Sequence, residues 1–330
     1  NYFCSEVIFI ILYLSALRML FRQAILYASV CLVLLYSGEK NYMNKKLRTV
    51  RYLWGQQLLE NLGSSKIISG YILGVLISVL ASVQYLQYAG NRSIHLAEPM
   101  VLMMENPVYR FIIFIGLLLV LSNAPFITER SVLMIYRTNR KEWAISSLLY
   151  MVTHIFAYYA LSLLITIMIT AKRSYIGNVW SRAMIRLASV EQKSAMVKFG
   201  LSIPSASLLE DISPYKALLF LYFANCFCGI LLIFLAYLIS LRKNFIWGNL
   251  VVLLIQFVGL SVSREYMWHV PFWIAPFSLT DLELVIVNKM PFRNIGIYFA
   301  VIIMIEVICV CRVIRTKDWF LHVGEENESM

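Results

Sequence analysis

Long apolar runs dominate this sequence and decide its class. Stretches at about 67–88, 109–127, 146–171, 216–241, 246–263 and 293–313 are each apolar over close to the length a helix needs to cross a bilayer, roughly 20 residues. They are continuously apolar rather than alternating, which argues against a transmembrane β-barrel. The chain of 330 residues is 60% hydrophobic, against roughly 45–50% in a soluble domain. The predicted fold is therefore all-α: a polytopic membrane protein with a six-helix transmembrane bundle over residues 67–315.

Charge gives the bundle a provisional orientation. The net charge is +11, and in a membrane protein basic loops orient the helices and meet anionic headgroups. No basic module stands apart from the spans, so nucleic acid is not an expected partner, whereas membrane lipid is. Lys45, Lys46, Arg48, Arg51, Arg130, Arg137, Arg140, Lys141, Arg242, Lys243, Arg312 and Arg315 cluster at alternate span ends. The positive-inside rule then places the N-terminus and the C-terminus in the cytoplasm; Met-Asn-Lys-Lys-Leu at 43–47 looks like a bacterial N-terminus, so the expected location is a bacterial cytoplasmic membrane. The connection between Lys172 and Lys216 cuts across this pattern, with seven basic residues on the side the rule keeps poor in them.

Three segments flank or interrupt the bundle. Residues 1–42 are apolar but carry Arg18, Arg22 and Gln23 mid-run, where each arginine costs about 2.5–3.5 kcal/mol on insertion scales. They read either as an extra N-terminal helix or as a translated leader before a working start at Met43. Gly38-Glu39 can be encoded as GGA-GAA, a ribosome-binding sequence, just ahead of that methionine. Residues 43–66 repeat Leu47, Val50, Leu53, Trp54, Leu58 and Leu62 at helical spacing. With Arg48, Arg51 and Trp54 they predict an amphipathic helix lying in the membrane interface. The tail, 316–330, ends in GEENESM and is polar.

Connections within the bundle carry their own signals. Between Lys172 and Lys216 the sequence predicts one short helix around 178–198, then an irregular stretch framed by Pro204 and Pro214. Before the last span, Trp268, Phe272, Trp273 and Phe277 mix with Pro271 and Pro276. That composition fits an interfacial or re-entrant element better than a seventh span.

Motifs for soluble chemistry are missing. The chain has no Walker A loop, no His-Glu-x-x-His and no Gly-x-Ser-x-Gly elbow. His95, His154, His269 and His322 are scattered, and the pairs Cys226/Cys228 and Cys309/Cys311 lie in apolar runs, where cysteine packs as a small apolar residue. Neither metal nor cofactor is expected on this chain. Glu306 lies within the last span, and an ionisable group there is a functional candidate; Arg312, two turns on, is close enough to shield it. Gln84, Asn123, Asn225 and Gln256 are expected to join helices by hydrogen bonds. Gly70 and Gly74 make a small-residue face for close helix packing.

The most informative polar stretch follows Pro125. Glu129 and Arg130 come first, Val132, Leu133, Ile135 and Tyr136 form an apolar face, Arg137, Arg140 and Lys141 add charge, and Trp143 is expected to anchor the next span at the interface. A short amphipathic element at about 128–144 suits docking into a partner's groove. This order of interfacial helix, two spans, a charged element led by Glu-Arg, then four spans with a proline-broken aromatic segment resembles the membrane subunits of ABC-2 type transporters. The resemblance covers about residues 43–315, and rests on Glu129, Arg130, Leu133, Arg140 and Trp143. It implies a permease paired with a second copy or a paralogue and driven by a separate ATPase subunit, which would hold ATP and Mg²⁺. That subunit would grip Glu129, Arg130, Leu133, Arg137, Arg140 and Trp143, with the interfacial helix beside it. An exporter of a peptide, antibiotic or lipid-linked substrate is the expected function. The alternative is a membrane-embedded glycan-polymerising or lipid-modifying enzyme, holding lipid phosphate with Arg173, Arg182, Arg186 and Lys193.

Overall fold

Prolines and polar caps set where the apolar runs become helices. The computed structural model describes residues 42–61, 63–122, 138–190, 192–202, 204–243, 245–263 and 275–316. The chain divides into two units, 1–63 and 64–330. In the first, the described element is α1 (Tyr42–Asn61). Val50, Leu53 and Leu58 are buried, while Leu47, Tyr52 and Leu59 are exposed. Its apolar residues are thus spread over more than the single stripe their spacing predicts. The remaining residues of the expected N-terminal extension, 1–41, lie outside the described ones.

The described residues of the second unit are helical almost throughout, and among them five helices are long and apolar enough to cross a membrane. These are α2 (Ser65–Ala89), α5 (Arg140–Thr170), α9 (Pro214–Arg242), α10 (Phe245–Ser263) and α12 (Phe292–Thr316). Between α2 and α5 lie α3 (Glu98–Glu105) and α4 (Pro107–Val120), which meet at an 88° bend. After α5 come the short helices α6 (Arg182–Ser189), α7 (Gln192–Phe199) and α8 (Ala206–Asp211). A 3₁₀ turn (Ser278–Thr280) and α11 (Leu282–Val287) precede α12.

Four of the predicted spans agree with the helices to within a few residues; two need correction. The run at 109–127 is one helix as far as Val120, but it does not continue straight from the residues before it, and 123–127 lie outside the described residues. Asn106 has extended backbone (φ −75°, ψ 110°), as a residue before proline is driven to adopt. Pro107 then starts α4 at its first turn, where a missing amide costs nothing. The Asn106 side chain accepts from Val108 N and Tyr109 N, at 3.0 and 3.3 Å, so the elbow is capped as well as broken. At its other end α4 stops at Val120. The run at 146–171 is also longer than apolarity alone shows: α5 starts at Arg140, capped by Asn139. Finally, the single helix expected around 178–198 is two, α6 and α7, separated at Val190.

Packing follows small residues and one central helix. The Gly70–Gly74 face of α2 is used within the chain. A Cβ on Gly70 would stand 2.5 Å from the Gly116 carbonyl oxygen of α4, and one on Gly74 would meet the Tyr158 hydroxyl of α5 at 2.7 Å. Tyr158 donates that hydroxyl to Ile113 O at 2.9 Å. Helix α9 packs against α3, α5, α10 and α12. Two-thirds of its apolar window is buried, compared with 28% for α10 and for α12. Cys226 and Cys228 are buried on α9 as free thiols.

The connections 90–106, 171–213 and 275–291 gather at one end of the bundle and form a cap. Two short strands, β1 (Ile94–His95) and β2 (Ser174–Tyr175), pair in parallel there. Trp180 Nε1 donates to Ile212 O at 2.8 Å, and Ser202 Oγ donates to Leu102 O at 3.1 Å. Short helices, not a seventh span, make up the described part of the segment before α12.

Candidate functional site

The predicted coupling residues Glu129, Arg130, Leu133 and Arg137 lie outside the described residues. Arg140 and Trp143 open α5. Arg140 Nη1 donates to Arg315 O at 3.3 Å, which ties the start of α5 to the last turn of α12. Trp143 is 1% exposed. It is a packed core residue, not the surface anchor its position before a span suggests. On α1, Arg48 is exposed, while Arg51 and Trp54 are half-buried.

Glu306 falls on the buried seam of α12 with Ile295, Phe299, Val310 and Val313. Its Oε2 has no partner among the described residues. The expected shield does not form: Arg312 is exposed, and it makes no ion pair with Glu306. His154 is buried on α5, with Nδ1 3.0 Å from the Tyr71 hydroxyl, as a packed histidine would be. Gln84 joins helices as expected, accepting from the Tyr109 hydroxyl at 2.6 Å. Asn225 instead donates within its own helix, to Leu221 O. Asn123 lies outside the described residues.

The densest buried chemistry is elsewhere, at the elbow between α3 and α4. Arg110, in the first turn of α4, is 2% exposed. Its Nη2 donates to Asp281 Oδ2 at 2.9 Å and its Nη1 to Thr280 Oγ1 at 3.1 Å. The guanidinium carbon sits 4.3 Å from the Phe277 ring centre, a cation–π contact. Asp281 uses its other oxygen to cap α11, accepting from Leu284 N at 3.2 Å. Glu105, at the end of α3, accepts from Leu282 N at 3.1 Å. One cation and two carboxylates thus pin the segment 277–284 to the elbow.

Beside this latch is a narrow cavity lined by Arg110, Tyr159, Asn225, Cys228, Gln256 and Thr280, among others. It has room for about one water-sized molecule. Two of these residues carry a buried atom with no partner among the described residues, Arg110 Nε and Gln256 Oε1. The two atoms are a donor and an acceptor.

A second carboxylate organises the cap. Glu98, fully buried, accepts four hydrogen bonds. Oε2 takes the Tyr85 hydroxyl (2.7 Å), the Ser181 hydroxyl (2.8 Å) and His95 N (2.9 Å), while Oε1 takes Ser181 N (2.6 Å). His95 is held too: its Nδ1 accepts from Ala97 N, so Nε2 carries the hydrogen donated to Gly177 O at 2.7 Å. These groups are fully used in holding α2, α3 and α6 together. Such saturation marks a structural role, whereas the Arg110 cluster keeps an unfilled valence beside a cavity.

Sequence reasoning passed over Arg110, Asp281, Glu98 and Glu105, since charges at the edges of apolar runs read as loop charges. The Asn106-Pro107 pair was the available signal for the elbow. Among the described residues no group of three or more histidines, cysteines or carboxylates is placed to hold a metal ion. Compared with known proteins, the chain matches no protein-family model, no curated protein and no solved structure. Fold and composition define a polytopic α-helical membrane protein.

Proposed function

We propose that the chain is the membrane-spanning permease subunit of an ABC transporter. A separate ATPase subunit drives it through the element at about 128–144, and a second copy or a paralogue completes the path. The substrate class is a peptide, an antibiotic or a lipid-linked molecule. The supporting observation is α5. It runs unbroken for 31 residues, about 46 Å at 1.5 Å per residue, against a hydrocarbon core of about 30 Å. It starts three residues beyond the segment 123–137 and ends at the cap, where β2 follows. Its first turn is braced by buried Trp143 and by the bond from Arg140 to Arg315. A push on the charged element is therefore carried by a rigid rod along the whole bundle. The enzyme reading has less to stand on: Arg173, one of its lipid-holding cations, donates to Gly90 O within the cap.

The test is affinity purification of the tagged chain with a co-expressed Walker-motif ATPase from the neighbouring gene. The ATPase co-purifies with the wild type, and Glu129→Ala or Arg140→Glu removes it while membrane insertion is kept. Intact complexes with both variants would overturn the coupling assignment.

A further inference from the structure

We propose that the outer face of α6 and α7 rests on the bilayer surface and binds anionic phospholipid headgroups. On α6, residues 182, 185, 186 and 189 are exposed while 183, 184, 187 and 188 are buried; these are the two faces of one helix. The outward face of a water-facing cap helix is ordinarily polar. Here it carries Ile185, and the chain that follows exposes Val190 at 81% and, on α7, Val197 at 87%. Ile176, in the approach to α6, is 84% exposed. Large apolar side chains this far out are stable where they dip into a membrane interface.

Charge identifies the leaflet chemistry. Between Ala171 and Gly200 there are six basic residues and one acidic residue, Glu191. Arg182 and Arg186, one turn apart on the same face, have no hydrogen-bond or ion-pair partner among the described residues. A planar guanidinium is suited to phosphate oxygens, and unpaired arginines between exposed apolar residues match a headgroup layer. Position agrees. Only eleven residues, 171–181, separate the end of spanning helix α5 from α6, and spanning helix α9 begins at Pro214. Both ends of this segment are therefore joined to spanning helices, within reach of the bilayer surface. A second copy of the chain is a poorer occupant, because a two-fold contact would set this basic patch against itself.

The experiment is hydrogen–deuterium exchange on the full chain in nanodiscs of phosphatidylcholine, with and without phosphatidylglycerol. Amides of 182–199 exchange more slowly when phosphatidylglycerol is present, and added salt removes the difference. In Arg182→Gln/Arg186→Gln the lipid-dependent protection falls by roughly fivefold for each cation removed. Exchange over 94–105, held by Glu98, stays unchanged and reports that the cap is folded. Equal exchange in both lipids, protection that survives the double substitution, or protection that follows protein density rather than lipid charge would each overturn the proposal.

Discussion

Arg110 is held in place by partners that sequence alone did not point to. Nearly complete burial strips a guanidinium of water, and that cost is offset only while Asp281, Thr280 and the Phe277 ring stay in reach. Arg110→Leu leaves Asp281 buried without its cation, and the expected loss is about 3–5 kcal/mol. Thermal unfolding in detergent measures it. The double variant Arg110→Leu/Asp281→Leu recovers part of the loss, since it removes the stranded charge. A double variant no more stable than the single would show that the pair is not the source. At this scale the sequence is a poor guide. Arg110 and Asp281 are 171 positions apart, and nothing in either neighbourhood points to the other. Trp143 misled for a related reason: a tryptophan before an apolar run reads as an interface anchor until α5 is seen to begin ahead of it.

Elements were far more legible, because long apolar runs leave little choice but helices. Positions of α2, α9, α10 and α12 follow from hydropathy alone. What hydropathy does not report is direction, so the 88° turn at Asn106-Pro107, just ahead of the run at 109–127, does not show in it. The Gly70–Gly74 pair was legible as a packing face, but only the structure identifies its neighbours as Gly116 and Tyr158. Gly116→Ala places a methyl group against the Tyr158 hydroxyl and near Gly70 O. Overpacking of this kind costs about 1–3 kcal/mol, and it also strains the bond from Tyr158 to Ile113 O. Gly55→Ala, on α1, meets nothing within 4 Å and serves as the control. Equal melting temperatures for the two variants would contradict the close crossing of α2, α4 and α5.

For the whole molecule, the order of crossings makes a topological prediction. The β1–β2 pairing requires the connections after α2 and after α5 to share one side, and an odd number of crossings then separates both from the end of α12. With native cysteines replaced, Asn91→Cys and Lys172→Cys should react with an impermeant maleimide from one side of the membrane and Thr316→Cys from the other. Labelling of all three from one side would contradict the six-crossing bundle. The burial of α9 has a further consequence, for how such a chain can change over generations. Helices α10 and α12 turn most of their surface outward, where one apolar side chain serves about as well as another. Helix α9 has two-thirds of its apolar window buried, so most replacements there must suit several neighbours at once. Drift among descendants of this chain should therefore be slowest in α9, and homologues too distant to align elsewhere should still be alignable through its 29 residues.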